Sequence, residues 1–180
     1  MGIIRKVKPV KLIASIIANK EKLFYEIEKE LSEIFGVIDF SSKILPFNHT
    51  DYYNKEMGDN LIRKFISFEK LILPDQISQI KIKSNEIEKK FAINNYRQVN
   101  IDPGYINLAK LVLVSTKDYS HRIYLSNGIY AEATLFFRHN QFETFPYTYP
   151  DYATDEVRNI LKEIRKLFKS QLKNGNQKEK

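Results

Sequence analysis

Apolar positions along the chain change their spacing several times, and each change marks an element. Residues 11–18 form a continuous apolar run that reads as a buried strand, with Asn19 placed to cap the helix that follows. Leu23, Phe24, Ile27, Leu31, Ile34 and Phe35 recur at helical spacing, and Gly36 ends that helix where a left-handed residue is wanted. Residues 37–47 and 61–73, rich in β-branched and aromatic side chains, predict an antiparallel pair of strands. The polar stretch 48–60 between them is long enough to be a functional loop. Pro74 and Asp75 open a second helix carrying Ile77, Ile80, Ile87 and Phe91 on one face, and Asn94 and Asn95 break it. From Arg97 onward the pattern is β: strands at 98–101 and 109–115, a hairpin from 121 to 137, and a strand at 141–145. The turn Asn127-Gly128 has the residues a two-residue type I′ connection requires. Thr154 caps a last helix with Val157, Ile160, Leu161, Ile164, Leu167 and Phe168 on one side.

This order predicts an α+β sandwich: a ferredoxin-like βαββαβ core, with helices against one face of a mostly antiparallel sheet, extended by a β-hairpin and a C-terminal helix. A strongly curved sheet wrapped around the last helix is the alternative. One domain is expected over residues 1–172, followed by a disordered tail over 173–180.

Composition changes this picture little. The chain has 180 residues with 43% hydrophobic and 13% aromatic content, enough to fill one core. It has no cysteine, so a disulfide framework, a thiolate metal site and a cysteine nucleophile are excluded. No apolar run approaches the roughly 20 residues of a membrane span, and the N-terminus lacks a signal pattern. A soluble cytoplasmic protein with no membrane partner is expected. The net charge of +7 resides at the two ends, within residues 1–20 and 153–180, which weakens it as evidence for a nucleic-acid surface.

The candidate chemistry lies between Asn100 and Tyr152, where charged and hydroxyl residues interrupt otherwise apolar strands. A regular two-residue hairpin pairs Ser126 with Ile129, Leu125 with Tyr130, Ile123 with Glu132 and His121 with Thr134. That register puts His121, Tyr130, Glu132 and Thr134 on one face and turns Arg122 and Tyr124 to the other. His121 beside Glu132 is a candidate acid-base pair, and a plain surface hydrogen bond is the alternative. Lys110, Ser115, Lys117 and Arg122 supply donors for an anionic ligand. Asp102-Pro103-Gly104-Tyr105 and Tyr149-Pro150-Asp151-Tyr152 have the composition of tight turns, and would set Asp102, Tyr105 and Asp151 at the rim of a pocket.

Asn100-Ile101-Asp102-Pro103-Gly104-Tyr105, residues 110–118, His121-Arg122-Ile123-Tyr124-Leu125, Gly128-Ile129-Tyr130-Ala131-Glu132 and Thr148-Tyr149-Pro150-Asp151-Tyr152 resemble the motif series of a bacterial family catalogued as domain of unknown function 4416, over nearly the whole chain. That resemblance brings no established activity with it. A GTP-binding label attached loosely to some members would need a Gly-x-x-x-x-Gly-Lys-Ser/Thr loop and a Thr-Lys-x-Asp motif. This sequence has neither, since Thr116-Lys117-Asp118 is one residue short.

Two other patterns are set aside. Glu86-Ile87-Glu88-Lys89-Lys90 matches a triphosphate-tunnel spacing but lies in helical periodicity, and no histidine has, two residues later, the Ser/Thr that two-histidine phosphoesterases need. No zinc motif is present, and a magnesium site from Asp102, Glu132 and Asp151 is the one metal reading left open. The cofactor, the reaction, if there is one, and the oligomeric state are not legible. The leading expectation is a domain that binds or acts on a phosphorylated small molecule or nucleotide. In it, Lys110, Lys117 and Arg122 hold the anion, and His121 with Glu132 moves protons. The alternatives are an RNA-associated module stacking bases on Tyr105, Tyr130, Tyr149 and Tyr152, or a protein-partner module without catalysis.

Overall fold

Alternation along the first strand creates two cores on opposite sides of one sheet. In the computed structural model, which describes residues 2–178, β1 (Val10–Ala18) is buried at every position. Val10, Leu12, Ala14, Ile16 and Ala18 pack with Phe24, Ile27 and Leu31 of α1 (Glu21–Phe35) and with Ile77, Ile80 and Ile87 of α3 (Ile77–Lys90). Ile13, on the other face, packs with Val157, Leu161 and Ile164 of α4 (Asp155–Lys178), while Ile17 meets Phe47, Met57 and Leu61. A strand buried on both faces reads as the continuous apolar run seen in the sequence.

The remaining strands are β2 (Ile38–Ser41), β3 (Leu45–Pro46), β4 (Ile62–Ile72), β5 (Val99–Ile106), β6 (Lys110–Ser115), β7 (Ile123–Ser126), β8 (Ile129–Arg138) and β9 (Gln141–Thr144). A one-turn helix α2 (Asn54–Met57) interrupts the loop before β4. Together they form a nine-stranded antiparallel sheet in the order β2-β4-β1-β5-β6-β8-β7, with β3 also paired to β4 and β9 to β8. The fold is therefore a mixed helix and strand structure with a large antiparallel sheet and a C-terminal helix.

Helices were expected on one face only. α1 and α3 obey this, but α4 covers the opposite face, where its apolar stripe packs with Ile13 of β1 and with Phe65 and Leu135. α4 also continues through Lys178, past the point where a tail was expected to begin; residues 179 and 180 lie outside the described residues. Its far end is tied down by Lys11, a side chain with no exposed surface, which pairs with Asp39 and donates to Gln171 Oε1 at 2.9 Å. Gln171 in turn donates to the Glu69 carbonyl at 2.9 Å. Burial lowers the Lys11 pKa, against the pull of Asp39. At the start of α1, Asn19 is not the cap. That position belongs to Lys20, and the Asn19 amide instead donates to the Met57 carbonyl and to Gln98.

One departure from expectation shapes the site. Asp102-Pro103-Gly104-Tyr105 is not a turn but the middle of β5, paired rung for rung with β1 from Val99 to Ile106. On its other side β5 pairs with β6 only through Gly104, Tyr105 and Ile106. From there the two strands part, β5 staying with β1 while Val114 and Ser115 of β6 stay with β8. Proline is tolerated because Pro103 comes just past the last β6 rung, where no ladder partner waits for its missing N–H. Glycine serves the close approach at the crotch of the fork. A Cβ on Gly104 would lie 2.7 Å from Leu113 Cδ2 and nearer still to the Val112 carbonyl oxygen. Gly104→Ala should therefore cost about 1–3 kcal/mol, the usual range for overpacking, read as a lower midpoint in denaturant unfolding.

Candidate functional site

The parted strands open a cleft of about 940 Å³. Its walls come from both faces of the sheet: Lys81 and Glu88 of α3, Asn100 and Asp102 of β5, Arg63 of β4, Glu132 of β8, and the loops holding Tyr52, Lys117 and Asp151. Each charge it contains must be hydrated by the opening or paired within the wall.

On the α3 side the charges replace the missing strand. Ile101 has lost its β6 neighbour, and its N–H donates to Glu88 Oε1 at 2.7 Å while its carbonyl accepts from Lys81 Nζ at 2.8 Å. Lys81 also reaches Asp102 at 3.3 Å, Asn100 donates to Asp102 at 2.7 Å, and Arg97 bonds Asn100 and pairs with Glu56. Burial raises the Glu88 pKa, and Asp102 adds to this; Lys81, the Ile101 N–H and Arg97 pull it back only in part.

On the β7–β8 side the hairpin differs from the regular register. Asn127 and Gly128 take the positive φ of the expected turn, but the register shifts between Tyr124 and Ser126, so Tyr124 faces Tyr130 and Ile123 faces Ala131. That shift brings Arg122, predicted to point away, onto Glu132: its Nε donates to Glu132 Oε2 at 2.7 Å. His121 Nε2 lies 3.0 Å from the same oxygen, and Thr134 donates to the other at 3.2 Å. Arg122 further bonds the Lys117 carbonyl at 3.0 Å and the Tyr149 hydroxyl at 3.2 Å. Burial opposes the Arg122 charge, yet Glu132 and Tyr149 outweigh it and hold its pKa above the ordinary guanidinium value. The His121 ring is stacked against Tyr147 at 4.4 Å and Tyr119 at 6.0 Å between centroids.

The third wall carries Arg63, which is buried, ion-paired with Asp151, and stacked near the rings of Phe47, Tyr152 and Phe65 at 4.6, 4.9 and 5.2 Å. Across all three walls most of the charges are held by specific partners. A model of one family, described as a domain of unknown function (DUF4416), matches residues 8–168. The chain belongs to this family. No curated protein and no solved structure matches it. The DUF4416 match spans β1 through most of α4 and contains every residue named in the cleft.

Of the residues singled out in the sequence, Asp102, Ser115, Lys117, Arg122, Glu132 and Asp151 line the cleft, and His121 reaches it through Glu132. Lys110 does not join them: it is exposed at the far end of β6, opposite Phe136. Tyr105 packs against the core between the sheet and α1 and α3, and Tyr130 packs edge-on to Tyr124. Tyr152, expected to be free for stacking, is buried with 3% of its surface exposed. Arg63, Lys81, Glu88 and Arg97 were missed. Lys81 and Glu88 had a legible signal, since each directly follows an apolar position, Ile80 or Ile87, on the buried stripe of α3.

Among the described residues no three carboxylate, histidine or cysteine side chains come together as a metal-holding group. Asp102, Glu132 and Asp151, the set weighed for magnesium, are each engaged by a separate cation: Lys81, Arg122 and Arg63. No helix among the described residues is long and apolar enough to cross a membrane.

Removing one partner of the Arg122–Glu132 pair leaves a buried charge uncompensated. Glu132→Ala should lower unfolding free energy by about 3–5 kcal/mol, and Arg122→Met combined with Glu132→Leu should lower it by less, both measured by denaturant titration. Glu88 gives a pH signature. Its unfolded carboxyl titrates near 4.5 while the folded one keeps its proton to higher pH, so the folded state binds more protons in that window. Its stability contribution is complete below the unfolded pKa and is lost as pH rises through the folded one. In unfolding curves from about pH 4 to about pH 7, Glu88→Gln should flatten this decline.

Proposed function

We propose that the cleft at the fork binds a phosphorylated small molecule or a nucleotide, with Lys117 as its entry-side cation. The observation carrying this reading is that Lys117, unlike Arg63, Lys81, Arg97 and Arg122, forms no ion pair among the described residues. Its ammonium lies 3.9 Å from the Tyr52 ring centroid and lowers the pKa of that phenol. Arg122 steadies the loop through the Lys117 carbonyl, and Ser115 and Thr116 set hydroxyls beside it. An ammonium without an ion pair and with neighbouring hydroxyls suits a phosphoryl group, which takes several charge-assisted hydrogen bonds at once.

Proton transfer by His121 and Glu132 is the finer part of this reading, supported by their 3.0 Å contact. Glu132 already accepts from Arg122 and Thr134, so positioning Arg122 is the role we assign it first. The scaffold is read as one domain built on a ferredoxin-like core. The strand order β2-β4-β1-β5 and the placement of α1 and α3 on one face support this, and β6–β9 with α4 form the extension. A chain without cysteine fits a cytoplasmic setting.

Calorimetric titration with pyrophosphate and a set of nucleotides tests the proposal. Lys117→Ala should weaken binding by about 10-fold or more, as loss of a charge-assisted contact does. The unfolding midpoint should hardly move, because Lys117 is exposed. No binding by any phosphorylated probe would reject the reading. Binding of short RNA instead, weakening steeply with added salt, would favour the RNA-associated alternative.

A further inference from the structure

Among the described residues β2, β3, β7 and β9 each pair with one neighbouring strand and so have an open edge. Such an edge offers backbone donors and acceptors to any chain able to pair with it, and proteins commonly protect it with a charge or a proline. β2 carries Asp39, turned inward to Lys11, β3 carries Pro46, and β9 carries Glu143. β7 has neither device. Its residues Ile123, Tyr124 and Leu125 are 73%, 58% and 40% exposed, and consecutive side chains of a strand point to opposite faces, so this edge is apolar and open on both sides.

Charge selects the occupant. A net charge of +7 opposes contact between two copies of the chain, and contact is least opposed where that charge is missing. Residues 123–131 are the longest stretch of the sequence without a charged side chain, and Arg122 and Glu132, which bound it, are paired with each other. A strongly charged partner finds no counter-charge along this edge, whereas a second copy brings an equally neutral and equally apolar one. Antiparallel pairing about a two-fold axis at Tyr124 sets Ile123 of each copy against Leu125 of the other and the two Tyr124 rings side by side.

We propose that β7 is a dimer edge, through which two copies of the chain pair at residues 123–125 and join their sheets. This inference does not depend on the phosphate reading above. Because β7 is the one open edge among the described residues without a charge or a proline, pairing closes at two copies instead of continuing into a filament. The strand is short and its register shifts near Leu125. Its exposed side chains with their backbone bury on the order of 500 Å² per copy, the low end of specific interfaces, so a dissociation constant of about 10–100 μM is expected.

Sedimentation velocity of the full chain from about 5 μM to about 500 μM brackets that constant, and the mass should pass from one copy towards two. Ile123→Lys sets a lysine on the shared edge of both copies and should weaken dimerisation about 10-fold or more, while the unfolding midpoint holds because Ile123 is exposed. Adding Leu125→Glu to Ile123→Lys places opposite charges across the two-fold pairing and should recover dimerisation at low salt. Amide exchange at residues 123–126 should slow as concentration rises. A monomer throughout the range, or a dimer indifferent to Ile123→Lys, would overturn the inference. Dimerisation that leaves exchange in β7 unchanged would place the interface elsewhere and overturn it too, and a double variant no better than Ile123→Lys would reject the two-fold pairing.

Discussion

A backbone that leaves its ladder has to find new partners for its N–H and C=O groups, and the parting of β5 from β6 depends on how this is met. Ile101 is a residue whose groups are released, and a pair of charges about two turns apart on α3 takes them up: Glu88 accepts the N–H and Lys81 donates to the carbonyl. Two residues further along β5, on the same side of the strand, Pro103 has no N–H to release. The fork is thus closed at Ile101 and Pro103 although open in space. Gly104 then lets β5 and β6 come together again at close quarters.

This origin explains why so charged a cleft has so little free charge. Lys81 and Glu88 stand in for a strand, Arg97 links Glu56 to Asn100, Arg122 holds the 117 loop and Tyr149 to Glu132, and Asp151 is bound to Arg63. Cations engaged in this way shape the walls more than they attract a ligand, since breaking a buried pair costs more than a new contact returns. What remains for recognition includes the Lys117 ammonium on the exposed 117 loop.

The elements were legible because their signals are local. The apolar run of β1, the helical spacing of α1 and α3, the cap Thr154 with its bond to Val157 N, and the Asn127-Gly128 turn each depend on neighbours in sequence. The charged cluster between Asn100 and Tyr152 was legible for the same reason, as ionised residues in apolar strands. What escaped depends on distant partners. Asp102-Pro103-Gly104-Tyr105 has turn composition, and only the position of β6 makes proline and glycine suitable inside a strand. Lys81 and Glu88 sit legibly beside the buried stripe of α3, but what they bind becomes visible only when Ile101 is placed beneath them. The face chosen by α4 follows from which half of β1 was already covered, and no short window contains that information.

The register shift near Leu125 behaves as a phase change in a two-beat pattern. Everything before it is carried to the opposite parity from what a regular hairpin dictates, and so Arg122 joins His121 against Glu132. The pairing that holds the cleft's wall is therefore set by a count of residues between Arg122 and the turn, not by the identity of any side chain in that interval. Two chains could share every letter of this wall and still assemble different walls if one of them were a residue longer or shorter at this point.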